Sequence, residues 1–412
     1  MNVVIINHSD MRGGASVVSL RLLNALRDAG VDAHMLVVHK ASDNPAVVQV
    51  GPAWRAKAAF LAEHLRIFAA NGFSRADLFK ASISTDGLPL HRHPLVRRAD
   101  AVLLGWVNQG MLSLAEIERI ADMGKRIIWT MHDMWNMTGI CHHAGECNCE
   151  RYRSEPGCGC CPLLHRPQRL HDLSRSTWEH KQRLYARVAV RFVAISAWQL
   201  ANCRSSSLMR DASIAVIPNA FPVEDFSITP ITTRTELGLP EGKKIILMGA
   251  ARIDTPVKGL PLAIEALNKL GERSDAVAVF FGALRNPAAL DGLKFPHIHF
   301  GPVADAATLR ELYAHASVVL SSSSYETLPT TLIEGQAAGC TPVSFDSSGQ
   351  TDIIRHRDTG YLARSFDTDD LAAGLAFALD TPIEPEHLRR NVIEKFSSPA
   401  IARRYIELIN EQ

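Results

Sequence analysis

Short apolar runs alternate with amphipathic stretches along nearly the whole chain. That alternation constrains the fold more than any other feature of the sequence. "NVVIIN" (2–7) is an apolar run of strand length, and "GGASVVSLRLLNALRDAG" follows it. There Val17, Leu20, Leu23 and Leu26 have helical spacing, with Gly30 placed to cap the C-terminus. Strand-like runs recur at 33–38, 101–106, 126–130, 191–196 and 213–218. A second series covers 243–252, 276–282, 297–303, 316–323 and 341–346, with helical stretches at 260–270, 306–316 and 330–338 between them. Strands joined through helices return to parallel sheets by right-handed crossovers. The pattern predicts an α/β protein of two doubly wound domains facing a central cleft. The Pro-, Thr- and Gly-rich stretch 221–242 marks the break. It separates a first domain over 1–225 from a second over 235–395.

At 412 residues the chain is long enough for two cores of ordinary size. No apolar run approaches the roughly 20 residues that span a bilayer. The chain runs straight into a strand with no basic leader, which predicts a cytoplasmic protein. A net charge of +1 gives no reason to expect a nucleic acid partner. Residues 1–225 hold 26 Lys+Arg against 20 Asp+Glu, while the remainder holds 18 against 23. This asymmetry is either ordinary scatter or the mark of an anionic partner or membrane surface on the first half. The segment 53–80 mixes Trp, Phe and Leu with Arg and Lys. It reads as an amphipathic helix packed on the first domain or as an interfacial helix touching anionic lipid. The second case would place the protein peripherally at the inner face of the cell membrane.

In open parallel sheets, ligands bind beyond the carboxyl ends of the strands. In the second half that edge carries "GAARIDTPVKG" (249–259), with Arg252 and Lys258, and "SYETLPTTLIEGQAAG" (324–339), with Glu326 and Glu334. Pro329 suits the first turn of a helix, whose free amides and dipole attract anions. Two cations and a helix N-terminus at one edge predict a diphosphate site. Carboxylates beside it are repelled by phosphate and suit sugar hydroxyls. The bland alternatives are a capping box of Thr331 with Glu334, a solvated Glu326 and a surface Lys258.

"SSSSYETLPTTLIEGQAAGCTPV" (321–343) resembles the Glu-x7-Glu signature of the retaining glycosyltransferases of family 4, which have the GT-B fold. Its Glu-x-Leu-Pro variant is most similar to the bacterial polysaccharide and exopolysaccharide branch. "GGAS" (13–16), "TMHDMW" (130–135), "IPNAF" (217–221), "KG" (258–259) and "HFGPV" (299–303) extend the resemblance over nearly the whole chain. So does "FSSPAIARRYIELINEQ" (396–412), which resembles the family's last helix, returning to the first domain. The resemblance implies two Rossmann-like domains and a role for each matching residue. Glu334 would hold the nucleotide ribose and Glu326 the transferred sugar. Lys258, with Arg252, would neutralise the leaving diphosphate. Gly13 and Gly14 would let backbone approach phosphate, and His132 would line the sugar site. Leu328, Thr330 and Thr331 would complete the nucleotide-sugar pocket. The family's common spacing sets the Arg five residues before the Lys, whereas Arg252 stands six before Lys258.

The implied donor is a nucleotide-diphosphate sugar, UDP- or GDP-linked. The implied acceptor is a glycan or lipid-linked glycan. Transfer would retain configuration by front-face attack, with no catalytic metal required. The alternatives are a GT-B sugar-nucleotide epimerase or phosphorylase, and a catalytically silent sugar-nucleotide-binding scaffold.

"GICHHAGECNCERYRSEPGCGCCPLL" (139–164) holds six of the eight cysteines between Cys141 and Cys161. A cytoplasmic setting disfavours disulfides. Cys158-x2-Cys161 is a metal-type knuckle, and Cys141 with Cys147 would complete a tetrahedral zinc site. The same four positions resemble an insertion in the polysaccharide branch of the family. An iron–sulfur cluster, a redox pair and unligated thiols are the alternatives. A zinc closed by four protein ligands would fold the loop and do no chemistry.

Overall fold

The computed structural model describes residues 1–144, 149–164 and 172–411. The chain divides into two compact units, Met1–Phe221 with Ser398–Gln412, and Pro222–Ser397.

The first unit contains β1 (Asn2–Ile6), α1 (Gly14–Asp28), β2 (Asp32–Val37), β3 (Val47–Gln49) and α2 (Ala53–Ala70). It continues with α3 (Pro94–Arg98), β4 (Ala101–Leu104), α4 (Leu114–Ala121) and β5 (Arg126–Met131). Then come α5 (Leu173–Arg187), β6 (Val190–Ala194), α6 (Ala197–Ser205) and β7 (Ile214–Val216). Its seven strands are parallel, in the order β3-β2-β1-β4-β5-β6-β7. Val3 to Ile6 are all buried, as expected of a strand covered on both faces. The buried face of α1 is Val18, Leu22, Leu23, Ala25 and Leu26. Val17 and Leu20 are only partly buried, so that face is turned from the one their spacing predicts.

The second unit contains β8 (Lys244–Arg252), α7 (Leu260–Leu270), β9 (Ala276–Ala283), β10 (His297–His299) and α8 (Ala306–His315). β11 (Val318–Ser321), α9 (Thr330–Ala337), β12 (Thr341–Phe345) and α10 (Gln350–Ile353) follow. β13 (Tyr361–Ala363), α11 (Thr368–Asp380) and α12 (Pro385–Phe396) complete it. The order β10-β9-β8-β11-β12-β13, all parallel, is the doubly wound arrangement. The last helix, α13 (Ser398–Asn410), belongs to the first unit. It buries Ile401, Ala402, Tyr405, Leu408 and Ile409, and the Tyr405 hydroxyl lies 2.8 Å from the Thr130 hydroxyl on β5.

Several boundaries differ from those expected. Residues 222–242 read as a break because they lack periodicity, yet they pack on the second unit. Glu311 of α8 accepts the amides of Ile231 (2.9 Å) and Thr232 (2.8 Å). Arg389 of α12 donates to the carbonyls of Phe226 and Val223 at 2.6 and 3.0 Å. The unit boundary therefore falls at Phe221 and Pro222, and the return at Ser398. The run 297–303 is strand only to His299. β3 and β13, three residues each, lie outside the strand-like runs given above.

Candidate functional site

In the second unit the strand order reverses between β8 and β11, which pair directly. The loops leaving these two strands flank the crevice where doubly wound sheets bind ligands. The β8 loop supplies Lys258 and the β11 loop supplies Glu326, and the two side chains form an ion pair. Both are partly exposed, at 31% and 20% of the side chain, so a ligand has access to the pair.

The loops are held at backbone contact. Gly259 has φ +66°, and a Cβ there would meet the Ser322 carbonyl oxygen at 2.1 Å, so only glycine fits. The Ser322 hydroxyl donates to the carbonyls of Lys258 (3.0 Å) and Gly259 (2.9 Å). Glu326 is fixed in turn. Its amide donates to the Ser348 hydroxyl at 3.0 Å, its carbonyl accepts the Gly349 amide at 2.8 Å, and the Ser323 hydroxyl donates to its carboxylate at 3.1 Å.

α9 begins at Thr330 with Pro329 as N-cap and no side-chain cap. The amides of Thr330 and Thr331 thus open the helix with no acceptor inside it. Leu328 is buried just before them. A capping box does not form, because Thr331 already lies within the helix. Glu334, one turn on, is 9% exposed and accepts the Tyr313 hydroxyl at 2.9 Å. Burial, and then the charge of Glu334, push the Tyr313 phenol well above its usual range, so it stays a donor. Arg252 is engaged locally, with Asp254 at 3.2 Å and the Thr255 hydroxyl at 3.0 Å.

The structure thus joins Lys258 to Glu326 and sets Leu328 just before α9, with Thr330, Thr331 and Glu334 in its first turns. Tyr313, Ser323 and Ser348 were not singled out from the sequence. The serine run at 321–324 was a visible signal, whereas Tyr313 sits in an ordinary amphipathic helix and carried none.

In the first unit, the loop after β1 carries Gly13 and Gly14. Gly13 has φ +85° and caps α1. Gly14 lacks a positive φ, and a Cβ there would meet nothing within 4 Å, so Gly13 is the position whose backbone requires glycine. His132 follows β5. Its Nε2 is buried without a hydrogen-bond partner. Burial lowers its pKa to about 4 against the opposing pull of Asp133, so the ring stays neutral near pH 7.

The neighbouring Asp133 is tightly bound. It accepts from His142 Nδ1 (2.6 Å), Trp106 Nε1 (3.0 Å) and the Trp135 amide (2.8 Å). Burial raises its pKa, but the charge and hydrogen bond of His142 outweigh that and hold it well below the usual range. His142 Nε2 lies 3.0 Å from the Ser82 hydroxyl. Asp133 and His142 line a cavity of about 240 Å³ with Phe79, Lys80, Trp106, His143 and Leu163.

Of the four cysteines expected to bind metal, Cys147 lies outside the described residues. Cys141, Cys158 and Cys161 line one small cavity together with Cys149. A hydrogen bond from Cys161 lowers the Cys141 thiol to about 7 despite burial. Among the described residues, no group of three or more His, Cys, Asp or Glu is arranged to hold a metal ion.

A cation and a carboxylate thus pair across the switch point, with the carboxylate just before the start of α9. Residues 206–395 match the family model of the glycosyl transferases, group 1. The match falls mainly on the second unit. Over 210 residues the chain is 28% identical to an uncharacterized glycosyltransferase of Methanocaldococcus jannaschii, covering 47% of this chain and 53% of the relative. Over 170 residues it is 29% identical to D-inositol 3-phosphate glycosyltransferase of Jonesia denitrificans, covering 38% and 39%. The chain spans about half the length, or less, of these curated relatives. Among solved structures, Anabaena HepE in complex with UDP and glucose matches over 100% of both chains, with TM-score 0.62 and 15% identity. That likeness shows the fold, two parallel-sheet α/β units of the GT-B type.

Proposed function

We propose that the protein is a retaining glycosyltransferase. It moves a sugar from a nucleotide-diphosphate sugar to a glycan or lipid-linked glycan acceptor in surface polysaccharide synthesis. The observation that carries this is the Lys258–Glu326 pair at the β8/β11 switch point, next to the start of α9. The group 1 match over the same unit supports glycosyl transfer, and the complex of HepE with UDP and glucose favours a UDP-linked donor.

Breaking the bond between the sugar and the diphosphate leaves negative charge on the phosphate oxygens. The amides that open α9 and the Lys258 ammonium would stabilise that charge as it develops. Lys258 neutralises Glu326 before ligand arrives. A bound diphosphate would draw Lys258 away and free the Glu326 carboxylate to accept hydroxyls of the transferred sugar. Glu334, held by Tyr313, would accept the ribose hydroxyls.

A ligand that binds only the native state raises its melting temperature by mass action. One nucleoside diphosphate among UDP, GDP and ADP is expected to shift the Tm of the purified protein, and Glu334→Gln to reduce the shift. Sugar release or transfer from the matching nucleotide sugar then separates a transferase from a silent binder. The absence of a shift with every nucleotide would refute the site.

The cysteine module enters the same proposal as a structural zinc site of Cys141, Cys147, Cys158 and Cys161. Its support is the four-cysteine pattern and the cavity that three of them share. Metal analysis of the purified protein is expected to find one zinc per chain, with Cys158→Ser losing it and lowering the Tm. Protein free of metal at full stability would overturn the assignment.

A further inference from the structure

We infer that α2 and the loop after it form a docking face for an anionic bilayer surface. The inference goes beyond the transferase proposal and stands on the first unit alone. Trp54, Leu61 and Leu65 recur at intervals of seven and four residues, so they share one face of α2. They are 65%, 47% and 63% exposed. The opposite face buries Ala56, Glu63, Ile67 and Ala70. It is also anchored, because Glu63 accepts the amides of Ile83 (2.7 Å) and Ser84 (2.9 Å). The exposed apolar face is therefore surplus to the packing of the helix.

The loop adds two exposed aromatic rings. Phe73, 73% exposed, packs edge-on against Phe68 with ring centres 5.5 Å apart. Phe79, 64% exposed, stacks on Phe60 at 6.3 Å. Five of the ten large apolar side chains exposed among the described residues lie within these 26 residues.

Charge selects the partner. Residues 53–80 hold Arg55, Lys57, Arg66, Arg75 and Lys80 against Glu63 and Asp77, and Glu63 is buried. Arg66 pairs with Asp86, and Lys80 with Asp77 at 3.1 Å. Arg55 and Lys57 are exposed on either side of the apolar stripe, with the Arg55 guanidinium 5.4 Å from the Trp54 ring centre, and Arg75 is exposed in the loop after α2. A second copy docking through the same face would set these cations against their own copies. An anionic lipid surface attracts them while the apolar side chains enter the interface. No helix among the described residues is long and apolar enough to cross a membrane, so α2 would lie on the surface. Phe79 and Lys80 also line the cavity of Trp106, Asp133 and His142, so a glycan carried on lipid would reach that cavity from the docking face.

Flotation of the full chain with vesicles tests this. The protein is expected to float with phosphatidylglycerol-containing vesicles at low salt, to float less at high salt, and to stay at the bottom with phosphatidylcholine alone. Leu61→Glu with Leu65→Glu is expected to abolish flotation while far-UV circular dichroism and Tm stay unchanged. Both positions face solvent, so the fold does not depend on them. Failure of the wild type to float with anionic vesicles overturns the inference, as does equal flotation of the double variant. So does a dimer in sedimentation velocity that the double variant dissociates, which would identify the occupant as a second copy.

Discussion

Lys258→Met is expected to lower kcat/KM for sugar transfer by roughly a hundred- to a thousandfold, the usual cost of removing one group that stabilises developing negative charge. The nucleoside diphosphate should also bind more weakly, because Lys258 is the cation that pairs directly with Glu326 across the switch point among the described residues. The folded state should hardly notice. The pair is partly exposed on both sides, and such pairs contribute about 0 to 1 kcal/mol. Activity and stability therefore separate, which marks a residue of the site. Lys258→Arg is expected to recover only part of the activity. It restores charge, but a planar fork replaces a compact ammonium in a loop held at backbone contact by Gly259. Steady-state kinetics beside thermal melts would decide the matter. Near-wild-type turnover by Lys258→Met would remove Lys258 from the proposed mechanism.

Lys181→Met should do the reverse, with a large effect on stability. Lys181 projects from α5 and is fully buried. Its Nζ donates to the carbonyls of Trp135 (2.5 Å), Thr138 (3.1 Å) and Gly139 (2.9 Å). It also lies 3.3 Å from the centre of the Trp135 ring. The segment 135–139 runs between Asp133 and the cysteine module, and Lys181 donates to three of its carbonyls. Methionine keeps most of the side-chain volume but takes this donor from the Thr138 and Gly139 carbonyls, and leaves the Trp135 carbonyl only the 3.4 Å contacts from the Thr138 amide and hydroxyl. The expected loss is about 3 to 5 kcal/mol, which lowers the Tm of a unit this size by roughly 6 to 20 °C. A melt within about 2 °C of wild type would mean that water takes over the three carbonyls.

The two predictions were unequally legible before the structure. Lys258 and Glu326 were readable because each stands at a strand end beside a loop or helix start, and strand ends follow from local apolar runs. Lys181 was not, since one lysine in a polar helix looks solvated whichever way that helix faces. The same limit hid Tyr313 behind Glu334 and left 222–242 looking like a break. Glu311 and Arg389, which hold that segment, lie far along the chain.

By itself the sequence determined the two α/β units, and the strand ends and helix start near which Lys258, Glu326 and Glu334 stand. These follow from side-chain periodicity and turn chemistry, which act over a few residues. Only the tertiary structure decided that Lys258 and Glu326, 68 residues apart, neutralise each other. It also decided that Arg252 turns to Asp254, that Tyr313 holds Glu334, and that Trp54, Leu61 and Leu65 face solvent. Those outcomes depend on strand order and on which helix face the sheet covers. Both are set by the burial of the whole core, and no short stretch of chain encodes them.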